Sequence, residues 1–317
     1  MSSNFATGGP HPLAWPKNSQ AMPAKHIVDT LIEERAPKLS KSAAWPVLRP
    51  LLYTLLNYSK ARRMADDIAP MSGHDALEHI SHLLSVKTNV EGLDRIPRDG
   101  SFLMIANHPT GITDGIALYD AIKQKRPDAI FYANSDAHRV CPRFEETLIP
   151  VEWAVHKRTR ERTRLTLKMT DAALSEGRCL VVFPAGRLAR MWQGALTDRE
   201  WMPTAISIAR KYKTPIQPVH IAGPYAFWYH LFNTFSPELR DITLFHELLN
   251  KQGKTYRLRF GEVIATDQID GDASAITRKV KYFVERVLAH DINARFDPNG
   301  PECRAYDQSP EMQQRPS

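Results

Sequence analysis

"SFLMIANHPTGITDGIAL", residues 101–118, decides how the rest of the chain is read. Its first half is a near-continuous apolar run, the pattern of a strand buried on both faces. Pro109 and Gly111 break the run and force a turn. The stretch therefore reads as a strand over 101–107, a turn, and a helix over 114–124 with Thr113 as its N-cap. In parallel sheets built from such units, the loops at the carboxyl ends of the strands carry the ligands. This turn holds His108 and Asp114. Folded back, the carboxylate can reach one imidazole nitrogen, fix the tautomer and leave the other nitrogen as a base. Backbone N–H groups at the helix start could also hold an anion. The plain alternative is a histidine in a polar turn and an aspartate that caps a helix.

The same alternation recurs further on. β-rich runs at 129–133, 147–153, 179–184, 215–221 and 256–264 are interleaved with helical segments at 160–176, 203–213 and 274–290. This predicts an α/β domain over 89–291: a mostly parallel, mixed sheet flanked by helices. Residues 26–88 read as a helical N-terminal region. There a long helix carries Leu51, Leu52, Leu55 and Leu56 on one side and has a basic end. After it, Ser72 and Asp75 show capping-box spacing ahead of a Leu77, Ile80, Leu84 stripe. Residues 1–25 and 292–317 read as a loose arm and a loose tail.

At 317 residues and 43% hydrophobic composition, the chain can bury a sizeable core. Its net charge of +7 favours anionic partners: phosphate-bearing substrates, acidic lipids, an acidic carrier protein or nucleic acid. Cys141, Cys179 and Cys303 form no C-x-x-C pair, which argues against a zinc knuckle or a disulfide framework and fits a reducing cytoplasm. There is no leader-like start and no apolar run of about 18–20 residues. Contact with a membrane would be from its surface. Two stretches suit that: residues 46–63, and the aromatic segment 223–235. His74, Glu78 and His82 share a helix face but read as a solvated polar face, and no metal is assigned. G-x-S-x-G, Walker and G-x-G-x-x-G signatures are absent.

A second stretch repeats the design of the first. "VVFPAGRLAR", residues 181–190, is an apolar strand, a Pro-Gly turn, then Arg187 and Arg190. An arginine beyond a strand end suits bidentate binding of phosphate, although either residue alone would pass for a solvated loop. The basic run 156–164 reads as a solvated helix start or a landing site for phosphates or an acidic carrier protein.

Taken together, these stretches resemble the glycerophospholipid acyltransferase family of the lysophosphatidate acyltransferase kind. That family carries N-H-x-x-x-x-D on one strand-end turn and F-P-E-G-[TS]-R on another. "NHPTGITDG" is most similar to the bacterial branch with N-H-P-x-G-x-x-D-G, which includes ornithine-lipid N-acyltransferase-like and hemolysin-like proteins. The resemblance spans roughly residues 88–265. It implies acyl transfer with His108 as general base and Asp114 as its orienting carboxylate. Substrate binding would fall to Asn107, Gly111, Gly186, Arg187, Arg190, Arg158 and Pro218, the proline of "PIQPVHI". No bound cofactor is implied; acyl-CoA or acyl carrier protein would be the co-substrate. The partners would be membrane-surface lipids and an acyl carrier protein, with no nucleic acid, at the cytoplasmic face of the membrane. The favoured acceptor is a lysophospholipid such as 1-acylglycerol 3-phosphate. N-acylation of an amino acid or amino lipid and a non-catalytic basic lipid-binding protein are the alternatives. Ala185 stands where the family has Glu, and Leu188 where it has Arg. These departures put the glycerol-phosphate acceptor in question.

Overall fold

In the computed structural model, residues 25–152, 158–192, 195–301 and 303 are described. Most of the arm read at 1–25, much of the tail, and residues 153–157 of the basic connection lie outside them. Five helices come first: α1 (Ile27–Arg35), α2 (Pro37–Ser40), α3 (Trp45–Leu55), α4 (Tyr58–Ile68) and α5 (Gly73–Leu84). β1 (Lys87–Glu91), β2 (Phe102–Ala106), α6 (Ile112–Ile122), β3 (Ile130–Asn134), α7 (Asp136–Val140), β4 (Leu148–Val151), α8 (Arg160–Ser175) and β5 (Cys179–Val182) follow. A short hairpin, β6 (Arg190–Trp192) and β7 (Ala195–Thr197), precedes α9 (Thr204–Tyr212) and β8 (Ile216–Ala222). The chain then runs through α10 (Phe227–Phe235), α11 (Pro237–Ile242), α12 (Leu244–Leu249), β9 (Thr255–Phe260) and α13 (Ala273–Tyr282), which continues into a π-helical turn at Phe283–Val287.

Seven strands form one sheet in the order β1-β9-β8-β2-β5-β3-β4, and every neighbouring pair is parallel except β8–β9. The protein is thus α/β with a mostly parallel, mixed sheet. β2 lies at its centre and is buried along its whole length. Its alternating side chains feed two cores. Phe102, Met104 and Ala106 join the N-terminal helices and α6, whereas Leu103 and Ile105 join α8, α9 and α13. Burial on both faces is why this strand is apolar at every position. Strands β5, β3 and β4 lie on one side of β2, and β8, β9 and β1 on the other. The end of β2 therefore opens where strand order reverses, the usual position of a ligand crevice in such sheets.

Several expectations are corrected. The long helix expected before residue 68 is two helices, because Asn57 adopts a left-handed conformation (φ 54°) that ends α3 and starts α4. Its leucines do not share one side. Leu52 and Leu56 are buried, while Leu51 is 65% exposed in a row with Val47 and Leu55 at four-residue spacing. Ser72 does cap α5, its hydroxyl accepting from the Asp75 N–H at 3.0 Å. β1 and the β6–β7 hairpin were not anticipated: β1 is a polar edge strand, and the hairpin strands are three residues each. Part of the supposed loose tail is packed, since Phe296 and Cys303 are buried in the core beneath α13.

Candidate active site

Asn107 is the first residue past β2, and it extends the sheet rather than binding a ligand. Its side-chain Nδ2 donates to the Ile221 carbonyl at 2.9 Å, and its Oδ1 accepts from the Ile221 N–H at 2.7 Å. A side-chain amide thus stands in for one more rung of the β2–β8 ladder. Both polar ends of Asn107 are used and the residue is buried, which corrects its expected substrate role. Asn107→Ala would leave a buried N–H and a buried C=O without these partners, at about 1–3 kcal/mol for each group. Denaturant unfolding should show a loss of roughly 2–6 kcal/mol. An unchanged midpoint would mean that the clasp contributes nothing.

His108 follows at the mouth. Its ring stacks obliquely on Phe183, with centroids 4.6 Å apart, and its side chain is 16% exposed. Nδ1 lies 3.0 Å from Oδ2 of Asp114, which is fully buried. The approach is off-axis, so the contact is a close charge–ring pairing rather than an aligned hydrogen bond, and Nδ1 has no other partner among the described residues. A small ring rotation would align it.

The Asp114 carboxylate is itself held by three donors from the turn. The Thr110 N–H and Gly111 N–H donate to Oδ2 at 2.9 and 3.0 Å, and the Thr110 hydroxyl donates to Oδ1 at 2.6 Å. The Thr110 hydroxyl also meets the buried Tyr256 hydroxyl at 3.0 Å. Burial, then the charge of Asp114, push that phenol well above the usual tyrosine range, so it stays neutral. Asp114 is the third residue of α6, and the N-cap is Gly111, not Thr113. Gly111 has φ 102°, which favours glycine, and a Cβ there would crowd Leu188 at 3.2 Å. The N–H groups of Thr110 and Gly111 therefore serve Asp114, and the anion role expected of Gly111 is corrected to a conformational one. Gly223 is required by close approach: an added Cβ would sit 2.5 Å from the Tyr256 ring and 2.8 Å from Thr110.

Pro218 is also structural. It is buried in β8 opposite Ile105, and its ring packs on Gly261. Proline has no N–H for a central strand to use. The Gln217 side chain supplies the missing donor, its Nε2 reaching the Gly261 carbonyl at 2.7 Å, while the Gly261 N–H donates to the Pro218 carbonyl at 3.0 Å. The substrate role expected of Pro218 does not fit this position.

The loop after β5 completes the mouth. Gly186, at φ 61°, makes the turn by donating to the Phe183 carbonyl at 3.0 Å. Arg187 and Arg190 are exposed, and Leu188 between them packs with Tyr229 and Ala226. The Ala189 N–H donates to the His108 carbonyl at 3.0 Å, so this loop is tied directly to the histidine. Arg199 was not anticipated. Burial, opposed by Tyr229 and reinforced by the cations Arg187, Arg240 and Arg190, holds its guanidinium below the usual arginine range. Arg240 lies over the Tyr229 ring at 5.8 Å. A group of arginines thus gathers beside the His108 turn, suited to a phosphate or carboxylate. Arg158 stands apart. It precedes α8 beyond edge strand β4, three strand positions from β2 or about 14 Å, and its Nε donates to the Glu152 carbonyl at 2.9 Å.

Comparison with known proteins places the chain in a family. The acyltransferase family model matches residues 31–292, and the chain belongs to that family. It is therefore an acyltransferase, the class of enzyme that the paired motifs imply. Among curated relatives, the lyso-glycine lipid O-acyltransferase of Bacteroides thetaiotaomicron is 24% identical over 249 residues, covering 77% of this chain and 89% of the relative. The lyso-glycine lipid O-acyltransferase of Phocaeicola vulgatus is 26% identical over 204 residues, covering 62% and 71%. Among solved structures, the 1-acyl-sn-glycerophosphate (LPA) acyltransferase PlsC of Thermotoga maritima has a TM-score of 0.44 and 19% identity, over 70% of this chain and 82% of that one.

Proposed function

We propose that the protein transfers a fatty acyl group from a thioester, on coenzyme A or acyl carrier protein, to the hydroxyl of a lysolipid. The observation that carries this reading is the His108–Asp114 pair at the end of the central strand, with the carboxylate buried and the imidazole at the mouth. Asp114 keeps the proton on Nδ1, so Nε2 takes the proton of the acceptor hydroxyl. The oxygen attacks the thioester carbonyl, the C–S bond breaks, and the imidazolium returns the proton to the leaving thiolate. Ester and free thiol are the products, and no acyl-enzyme is needed. The relatives named as O-acyltransferases support a hydroxyl over an amine.

In this reading the arginines beside the turn receive the anionic headgroup of the acceptor. The protein meets its lipid on the cytoplasmic surface of a membrane. Among the described residues no helix is long and apolar enough to cross one. Support for surface contact comes from Val47 and Leu51 on α3 and Phe227 and Phe235 on α10, each more than half exposed, with Arg62 and Arg63 nearby in sequence on α4. The test is lipid mass spectrometry of cells with and without the gene, paired with assays of purified protein on lysolipid acceptors with each thioester. If no acylated lipid changes in the cells and no lysolipid is acylated in vitro, the reading fails.

Arg187 tests the acceptor. Arg187→Ala should raise KM by roughly 10–100-fold for one anionic class of acceptor, phosphorylated or carboxylated, with little change in kcat. A neutral acceptor should be spared, and Arg187→Lys should rescue only in part. An equal loss on phosphorylated, carboxylated and neutral acceptors would remove Arg187 from the headgroup site.

A further inference from the structure

His108 is gripped by contacts that its own strand does not supply. Its N–H donates to both oxygens of the Asp198 carboxylate, at 3.1 and 3.0 Å, while its carbonyl accepts from Ala189. Asp198 directly follows β7 and is 3% exposed. The Trp201 indole N–H donates to its Oδ2 at 2.9 Å. Its own N–H donates to Glu285 Oε1 at 2.6 Å, and Glu285 forms a buried ion pair with Lys281. A carbonyl or an amide would satisfy the His108 N–H at far lower desolvation cost than a carboxylate. The burial of a carboxylate there calls for a second use of its charge. In the reaction proposed above, on which this inference rests, positive charge develops on the His108 ring as it takes the acceptor's proton.

The geometry points to Asp198 as a positioning residue for His108: a buried carboxylate that fixes the histidine's main chain and, together with Asp114, supports the charge that develops on its ring. His108 thereby sits between two carboxylates, one at its side chain and one at its backbone. Asp198 is also placed to make turnover depend on pH. The groups facing it are His108 from the β2 turn, Trp201, Lys281 on α13 and Glu285 on the π-helical turn; Arg286 reaches the neighbouring Thr197 hydroxyl at 3.1 Å. Burial, then Glu285, push the Asp198 carboxyl up to about 7, against the pulls of Lys281, Trp201 and His108. Below that value Asp198 carries a proton and no charge. Above it the charge is present, so its contribution to turnover grows as pH rises.

Asp198→Asn keeps one oxygen, in the place of Oδ2, to accept from the His108 N–H and from Trp201; it removes the charge and the second acceptor that Oδ1 offers the His108 N–H. The measurement is kcat for both proteins across the neutral range, with thermal melts to verify folding. The ratio of wild type to variant should climb from near one below about pH 6 to roughly tenfold above about pH 8. KM for acceptor and donor should stay within about twofold. A ratio near one at every pH overturns the inference and leaves Asp198 as scaffolding. If Asp198→Asn does not fold, Glu285→Gln carries the test. It keeps an acceptor for the Asp198 N–H and removes the negative neighbour, so the acid limb of kcat should move to lower pH with its plateau unchanged. An unmoved limb also overturns the inference. An inert His108→Ala with an Asp198→Asn ratio near one throughout rejects only the role of Asp198, whereas an active His108→Ala rejects the general-base reading itself.

Discussion

His108→Ala is expected to abolish acyl transfer, with kcat down roughly 10²–10⁴-fold, while the fold survives. The ring makes one stacking contact, with Phe183, and a close approach to Asp114. The main-chain grip on residue 108, from Asp198 and Ala189, does not involve the side chain. An alanine there still donates its N–H and still accepts at its carbonyl. Thermal melting should therefore shift little, and steady-state kinetics on the purified variant should report chemistry alone. Turnover near that of wild type would end the proposed mechanism.

Asp114→Asn should cost more than tenfold in kcat but less than His108→Ala (an estimate from other histidine–carboxylate pairs). The turn can accept the amide. With its oxygen in the place of Oδ2, the side chain still accepts from the Thr110 and Gly111 N–H groups. Its NH₂, in the place of Oδ1, can donate to the Thr110 hydroxyl, which then turns its own hydrogen toward Tyr256. Only the charge facing the imidazole is lost. Asp114→Ala instead orphans the turn's donors and should destabilise the protein as well. If the asparagine variant kept full activity while the alanine variant unfolded, Asp114 would be a helix cap and nothing more.

The parts of the site that sequence reveals are the ones that local chemistry dictates. β2 is legible because burial on both faces makes every residue apolar, and His108 and Asp114 stand out as polar groups on a Pro/Gly turn. Asp198 and Tyr256 could not be found this way. They lie 90 and 146 residues from their partners in the turn, and only the tertiary fold brings them there. A buried, charged Asp198 has no local signature in "TDREW", where it looks like a surface loop residue. Asn107 and Pro218 show the opposite error. Motif resemblance lends them a ligand role, yet the sheet consumes the first as a ladder rung and the second as a packed strand residue. The break between α3 and α4 was hidden because hydrophobic spacing does not register a left-handed residue such as Asn57.

The clasp of Asn107 on Ile221 has a further consequence for how the enzyme must move. Together with Asp198 and Ala189, it bolts the histidine's turn to β8 on one side and to the loop and hairpin after β5 on the other. To displace His108, all of these attachments would have to open together, an event that belongs with sub-global unfolding rather than with loop fluctuation. A histidine held in this way cannot travel as a lid or a swinging arm would. In the proposed reaction the searching would fall to the acceptor and the acyl donor, and the histidine would be the fixed point on which both converge.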